Sequence, residues 1–341
     1  MLHFFILIII SWLSLLAKGK LNWHYHQPEK LFIISGLAQG TTYSIKYSNR
    51  DSVISKFETD SILTAIDKSL SLYLSSSLIS TFNASAKGSL IDYHMKKVVE
   101  KAIEYNFLSK GYFDITVKPL SDLWGFGFKP SNYPPSDKQI KTALQYVGVN
   151  MLYFSNDSLL KRNPKTEIDC NGIAQGYSVD VLCDFLNKKM IKNYIVELGG
   201  EIKTSGTTEK GLQWLVGIEN PTSSYGEDYL VNKKIAISNL AVTTSGSYRK
   251  FKKYGTKYFT HIINPLVGKP LDNKIISVTV IAKNAMEADA LDNVFTLLGI
   301  RSSFELVEYL SETGLYIVYQ NSAGEIRDTS NKFFKAHLVS Y

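Results

Sequence analysis

The sequence contains very little cysteine. Only Cys170 and Cys183 occur among the 341 residues, and they are too far apart to form a Cys-x-x-Cys pair. This spacing excludes the common zinc-binding patterns and a framework of disulfide bonds. Cys183 falls on the apolar side of a predicted helix, so we expect it to be a small core side chain.

Dense clusters of one charge are also missing. The chain has 38 Lys and Arg against 31 Asp and Glu, which gives a net charge of +7, but the basic residues are scattered. Proteins that bind nucleic acid concentrate basic residues on one face or along one segment. We therefore expect no nucleic-acid partner. Weak attraction to an anionic ligand or to a membrane surface remains compatible with this composition.

Familiar nucleotide-binding motifs and internal repeats are absent. No Gly-x-Gly-x-x-Gly follows a predicted strand, and no Walker loop occurs. Strands and helices are mixed without a regular βαβ alternation, which favours the α+β class, with mixed sheets packed against helices. The apolar share of 45% is enough to bury the core of one large domain or two small ones.

One long apolar run stands at the start of the chain. Residues 4–17, FFILIIISWLSLLA, have the length of a signal-peptide core and are short for a membrane span. The residues before Lys18 make a poor cleavage site, and no cysteine follows that could carry a lipid. We predict that residues 1–22 are a signal peptide or an N-terminal membrane anchor. A buried core helix is the alternative.

Two local patterns predict where helices begin. Ser136 and Gln139 have the spacing of a capping box, in which each side chain bonds the backbone N–H of the other residue. A second helix is predicted from about residue 59, where Asp60 or Ser61 could accept the unpaired backbone N–H groups.

The stretch Ile168–Tyr177, IDCNGIAQGY, leads into a predicted helix over 178–190. A helix N-terminus offers unpaired N–H groups and a partial positive charge, so this place suits an anion. Gly172 and Gly176 would allow the backbone to approach a ligand closely. Without further information, a plain strand-to-helix turn explains the stretch equally well.

Three polar residues are candidates for a site. Asp289 and Asn293 are four residues apart in a predicted helix over 285–298, so they project from one face and could share a hard cation such as Mg²⁺. A solvated helix face is the alternative. Asp114 stands between aromatic and β-branched neighbours, where a carboxylate must be hydrogen-bonded. It is therefore either a site residue or the cap of a turn.

Eight segments, in order, resemble the ApbE family, the FAD:protein FMN transferases: GLAQGTTYSI, LYLSSSLISTFN, GYFDITVKPLSDLWGFG, IDCNGIAQGYSVD, YIVELGGEI, TTSGSYR, HIINPLVGKP and ADALDNVFTLLG. They extend over residues 36–299. Two positions depart from the family pattern. Gln175 stands where Lys or Glu is usual, and Asn293 stands where Thr is usual.

The resemblance implies a single large ApbE-like, T-fold-like domain over residues 23–341 that binds FAD and Mg²⁺. Such enzymes split the FAD pyrophosphate, attach FMN to a threonine of a target flavoprotein through a phosphodiester and release AMP. The target site resembles D-[SG]-x-[ST]-[AG]-T, and the enzymes are exported, either periplasmic or anchored to the inner membrane facing outward. An FAD pyrophosphatase and a non-catalytic periplasmic FAD-binding protein are the alternatives.

The resemblance also implies roles for individual residues. His261 is the expected general base, with Asp289 as the alternative base, although His261 could instead be a turn histidine. Asp289, Asn293 and a backbone carbonyl near Gly172 or Ala174 are the expected metal ligands. The residues expected to bind FAD are Gln39, Tyr73, Tyr112, Phe113, Asp114, Asp169, Gln175, Thr244, Ser245, Gly246, Ile263 and Met286.

Overall fold

The structure is a computed structural model that describes residues 29–127, 131, 133–219, 231–246, 251–255 and 257–339. The expected export segment, residues 1–22, lies outside these ranges, as do residues 247–249 of the TTSGSYR segment. Within the described ranges, no helix combines the length and the apolarity needed to cross a membrane. The nature of the N-terminal segment therefore stays a prediction.

Seventeen strands occur in the described part of the chain. They are Lys30–Ala38 (β1), Thr41–Asn49 (β2), Gly88–Leu90 (β3), Leu152–Ser155 (β4), Ser158–Lys161 (β5), Asn193–Leu198 (β6), Glu201–Ser205 (β7), Trp214–Glu219 (β8), Val231–Ile237 (β9), Ala241–Gly246 (β10), Phe251–Tyr254 (β11), Lys257–Thr260 (β12), Ile263–Asn264 (β13), Lys269–Pro270 (β14), Ile275–Ala282 (β15), Gly314–Gln320 (β16) and Ile326–Ser330 (β17).

Eight of these strands form one antiparallel sheet in the order β1-β2-β6-β7-β10-β15-β16-β17. The others form a three-stranded sheet, β3-β5-β4, and the pairs β8–β9, β11–β12 and β13–β14. The helices of the described ranges are Lys56–Leu70 (α1), Leu78–Ala84 (α2), Tyr93–Leu108 (α3), Lys118–Leu123 (α4), Asp137–Leu144 (α5), Ala174–Lys188 (α6), Ala285–Leu298 (α7), Ile300–Val307 (α8) and Lys332–Ala336 (α9). The α+β prediction is confirmed.

The capping box that starts α5 is also confirmed. Ser136 Oγ accepts the backbone N–H of Gln139, and Gln139 Oε1 accepts the backbone N–H of Ser136. The start predicted for α1 was wrong, because Ser55 forms a capping box with Glu58 one turn earlier. Asp60 instead accepts a hydrogen bond from Tyr43. The apolar spacing used to place this helix begins only after its polar first turn.

Two layers cover the large sheet. On one face, α6 and α7 pack against β6, β7, β10 and β15 to form the main core, in which Cys183 is fully buried as expected. On the other face, the β8–β9 hairpin and α9 enclose a second core that contains Val242 and Phe334. A third, smaller cluster surrounds Trp124 and includes Leu120, Ile140 and Ile263.

The two central helices cross at Gly176. A Cβ atom at this residue would lie 2.3 Å from the backbone oxygen of Ala285 and 2.8 Å from Cβ of Asp289. Both distances are far below van der Waals contact, and backbone cannot move aside without shifting a helix. The crossing therefore requires glycine, and it brings the start of α6 against the first two turns of α7.

We predict that Gly176→Ala destabilises the protein. Overpacking of this kind costs about 1–3 kcal/mol, although replacing a helical glycine returns about 0.5–1 kcal/mol. Gly172→Ala is the matched control, because its Cβ would have no neighbour nearer than 3.4 Å. Urea unfolding of the two variants measures the difference. Equal stability of both would show that the helices do not meet as closely as described.

Candidate active site

Asp289 links α7 to the start of α6. Its side chain is almost fully buried, and its Oδ2 atom accepts the backbone N–H of Gly176 over 2.9 Å. The two residues are 113 positions apart in sequence, so only the folded chain brings them together. This bond fixes the carboxylate at the first turn of α6, near the C-terminal end of the IDCNGIAQGY stretch.

Asn293 lies one turn further along α7 and reaches the same stretch. Its Nδ2 atom donates to the backbone oxygen of Asp289 at 2.9 Å, to Oδ1 of Asp292 at 3.0 Å and to the backbone oxygen of Gly172 at 3.3 Å. The structure therefore brings together Gly172, Asp289 and Asn293, the three residues expected to hold the metal.

The oxygen atoms at this junction fit a magnesium site. No described residue donates a hydrogen bond to Oδ1 of Asp289 or to Oδ1 of Asn293. A carboxylate, an amide oxygen and a backbone carbonyl are hard ligands of the kind that Mg²⁺ prefers, with substrate phosphates completing its shell. No cluster of three or more His, Cys, Asp or Glu side chains that could hold a metal occurs in the described ranges. A cation here would depend on the amide and the carbonyl.

The electrostatics of the junction favour a cation. Burial raises the pKa of Asp289 to about 7, and the nearby charge of Asp180 adds to this effect. Burial, together with the charge of Asp289, also raises the pKa of Asp292 well above its usual range. Neither Asp289 nor Asp292 pairs with a Lys or Arg in the described part of the chain. Two buried carboxylates without a counter-charge are costly, and a bound divalent cation would offset that cost.

Asp180, to which the sequence analysis gave no role, caps the helix that carries these residues. Its two carboxylate oxygens accept the backbone N–H groups of Ala285 at 3.0 Å and Met286 at 2.8 Å. Lys203 donates to the same carboxylate over 2.7 Å. The cap comes from α6, more than 100 residues earlier, so no local signal reveals it. Met286, expected at the FAD, has its backbone N–H engaged in this cap.

A cleft lies beside the end of α4 and is lined by Tyr73, Lys118, Phe126, Asp169 and Asn171, among others. Tyr73 is 77% exposed at its edge, and Asp169 Oδ1 accepts the backbone N–H of Asn171. Lys118, which no pattern in the sequence indicated, is a buried cation that pairs with Asp122 and Glu167.

His261, the expected base, lies near this cleft. Its ring contacts the ring of Phe126 edge-on, with 6.4 Å between the ring centres. Phe126 also lines the cleft, together with Tyr73 and Asp169. Tyr73 and Asp169, which are expected to bind FAD, therefore line the same cleft as Phe126, the residue that contacts His261.

Asp114 is a turn cap in this structure. Its Oδ1 atom accepts hydrogen bonds from the backbone N–H and the hydroxyl of Thr116, and its Oδ2 atom accepts one from Asn106. Burial raises the pKa of Asp114. These bonds show the turn cap that the sequence allowed, and the expected FAD contact of Asp114 stays a prediction. The neighbouring Phe113 is buried, whereas Tyr112 is half-buried.

The two glutamines of the expected site lie near the start of α6. Gln39 is in the β1–β2 turn with a φ of 53°, and its Nε2 atom donates to Ser178 Oγ over 2.8 Å. Gln175 is half-buried, and its Nε2 atom lies 2.8 Å from where a Cβ of Gly199 would be. No described residue forms a hydrogen bond with the side chain of Gln175, so its amide is open to a ligand.

Two residues expected to contact FAD have side chains that are engaged elsewhere, and their role at FAD stays a prediction. The hydroxyl of Thr244 pairs with Thr279 and, by strand alternation, lies on the sheet face turned away from α7. Thr243 faces α7 instead and donates to Asp292 over 2.8 Å. The side chain of Ile263 is buried in the cluster around Trp124. Ser245 and Gly246 lie at the end of β10, where Ser245 is half-buried and Gly246 is buried.

A model of the ApbE family matches residues 39–317. The chain belongs to the ApbE family. A curated FAD:protein FMN transferase of Vibrio cholerae serotype O1 is 34% identical over 308 residues, which cover 87% of this chain and 90% of that protein. The enzyme of the same name from Haemophilus influenzae is 31% identical over 321 residues, covering 90% of this chain and 91% of that protein.

Solved structures agree with this membership. The flavin transferase ApbE from Vibrio cholerae superposes with a TM-score of 0.81 at 31% identity and covers 91% of this chain and 100% of its own. The apo form of the Pseudomonas stutzeri flavinyl transferase ApbE gives a TM-score of 0.81 at 30% identity, with coverages of 91% and 97%. The expected family and fold are confirmed, and the named relatives are transferases, the enzyme class expected.

We predict that Asp289→Asn stabilises the metal-free protein at alkaline pH. The pKa of Asp289 is about 7 when folded and 3.8 when unfolded, so its charge opposes folding fully above pH 7 and not at all below pH 4. Melting temperatures in a chelator should therefore be higher for the variant at pH 8 and converge near pH 4. A difference that does not change with pH would contradict a buried, shifted carboxylate.

Proposed function

We propose that this protein is a Mg²⁺-dependent FAD:protein FMN transferase that attaches FMN to a threonine of a target flavoprotein and releases AMP. One observation carries the proposal: oxygens of Asp289 and Asn293, beside the Gly172 carbonyl, are left open in a chain whose relatives are named for this transfer. The magnesium requirement and the threonine acceptor are parts of the proposal.

In this proposal, one group of residues binds the cation and a second group, in the cleft, binds the rings and ribose of FAD. At the α6–α7 junction, Asp289, Asn293 and the Gly172 carbonyl would hold the cation that binds the FAD pyrophosphate. A bound Mg²⁺ would neutralise charge on the phosphate oxygens. At the cleft, Tyr73 offers an aromatic face and Asp169 offers hydrogen-bond acceptors to the flat rings and ribose of FAD.

The proposed transfer needs a base, because a threonine hydroxyl is a poor nucleophile at neutral pH. His261 would take the hydroxyl proton while the threonine oxygen forms a bond to the phosphorus on the FMN side. The bond from that phosphorus to the bridging oxygen breaks, and AMP leaves with the electron pair. Imidazole is suited to this role because it titrates near neutral pH.

The acceptor and the location belong to the same proposal. The target would be a flavoprotein with a D-[SG]-x-[ST]-[AG]-T-like site. The protein would act outside the cytoplasm, either free in the periplasm or held at the outer face of the inner membrane by residues 1–22. The apolar run over residues 4–17 supports export.

Incubation with FAD, Mg²⁺ and a peptide that carries the target motif tests this function. Mass spectrometry should show a peptide heavier by one FMN, with AMP released in equal amount. AMP and FMN without a modified peptide would identify an FAD pyrophosphatase. Bound but intact FAD would identify a flavin-binding protein without chemistry.

We predict that Asp289→Ala abolishes Mg²⁺-dependent transfer but leaves the protein folded, because α7 loses no apolar core side chain. Asp184→Ala is the matched control, since Asp184 is exposed on α6. FMN transfer and circular dichroism should be measured for both variants. Normal turnover in Asp289→Ala would remove this residue from the site.

We also predict that His261→Ala keeps FAD affinity within a few-fold but loses about 10²–10⁴ in transfer rate, the usual contribution of a positioned base. His337→Ala is the control, because that ring contacts Phe333 on α9 rather than the cleft. FAD binding and the rate should be measured separately. Parallel loss of binding and rate would make His261 a ligand contact, and an unchanged rate would make Asp289 the better candidate for the base.

A further inference from the structure

Asp292 is a buried acid that the proposed reaction does not use. It is 2% exposed, and its backbone oxygen accepts the hydroxyl of Thr296. Its carboxylate makes two side-chain contacts: Oδ2 accepts the hydroxyl of Thr243 over 2.8 Å, and Oδ1 accepts Nδ2 of Asn293 over 3.0 Å. No Lys or Arg pairs with it in the described part of the chain. A carboxylate is costly to keep in such a place, and one of its two donors is the amide of an expected metal ligand.

The amide of Asn293 has two ends of nearly equal size but opposite character. Only its oxygen end can bind a cation, whereas its nitrogen end is a donor. Either end could fill the same space, so the neighbouring groups decide which one is presented. The nitrogen end is held by the backbone oxygens of Asp289 and Gly172 and by Oδ1 of Asp292, and the oxygen end receives no hydrogen bond from described residues.

We propose that Asp292 is a positioning residue that orients the Asn293 amide so that its Oδ1 atom is presented to a divalent cation. The inference rests on the proposed Mg²⁺ site. If the amide turned over, its oxygen would meet the Asp292 carboxylate and the carbonyls of Asp289 and Gly172, which are all acceptors. Thr243 in turn holds the other carboxylate oxygen, so a chain of two hydrogen bonds leads from β10 to the amide.

Asp292→Leu tests the proposal because it removes the acceptor and keeps an apolar side chain of similar size. Loss of a group that orients a metal ligand typically lowers metal affinity by about 10–100-fold. Mn²⁺ affinity in the presence of FAD, measured by electron paramagnetic resonance, should fall by this amount. Asp292→Asn keeps an oxygen acceptor and should retain affinity within about three-fold.

Asn293→Thr supplies the matched background. A hydroxyl both donates and accepts through one freely rotating oxygen, so it needs no orientation. Asp292→Leu should therefore change Mn²⁺ affinity by less than about three-fold when Thr occupies position 293. An equal loss in both backgrounds would show a structural role and overturn the proposal. Melting curves check that each variant is folded, and Thr243→Val replaces Asp292→Leu if the latter does not fold.

A second readout needs no metal. In the metal-free wild-type protein, NMR should show that the side-chain amide protons of Asn293 exchange slowly with solvent, because they are held by fixed acceptors. In Asp292→Leu, the signal of the proton that bonds Asp292 should shift and the amide protons should exchange faster. Unchanged signals would overturn the proposal. Absence of Mn²⁺ binding to the wild type would refute the proposed function, and the amide signals would still decide the role of Asp292.

Discussion

The hydrogen bond from the Gly176 backbone to Asp289 is the contact on which the candidate site depends. It forms only because α6 and α7 approach so closely at Gly176 that no Cβ fits between them. Asp180 adds reciprocal hydrogen bonds to the same crossing: it lies on α6 and accepts backbone N–H groups from the first turn of α7. Two carboxylates thus tie each helix to backbone N–H groups of the other, which holds the site residues on rigid elements.

The same crossing concentrates negative charge. Asp180, Asp289 and Asp292 all lie near it, whereas Lys203 pairs with Asp180 alone. A core that kept this charge without a counter-ion would lose stability as the pH rises from the usual pKa of a carboxyl group to the raised pKa of Asp289. Under the proposed function, a bound divalent cation would offset this cost and could at the same time bind phosphate oxygens. Binding of metal and substrate at the crossing would then stabilise the fold itself.

Local signals in the sequence predicted the parts of the structure that depend on near neighbours. The Ser136 capping box and the four-residue spacing of Asp289 and Asn293 were both readable, because each is a property of one helix. The sheet face on which the side chains of Thr243 and Thr244 lie was not predictable. Both residues are threonines in a run of small polar residues, so no apolar alternation sets the phase of that strand. Asp180 was missed because its partners are more than 100 residues away.

The cleft is open to solvent and the helix crossing is buried, which is the combination that a transfer to another protein would require. Tyr73 is 77% exposed at the rim, whereas Phe113 is buried and the turn at half-buried Asp114 is held by Asn106 and Thr116. A small acceptor such as water could reach a closed pocket, but a threonine in another protein must approach along an open surface. The charge of the phosphates is therefore best stabilised at the buried crossing, where the low dielectric strengthens electrostatic interactions, while the acceptor side stays open.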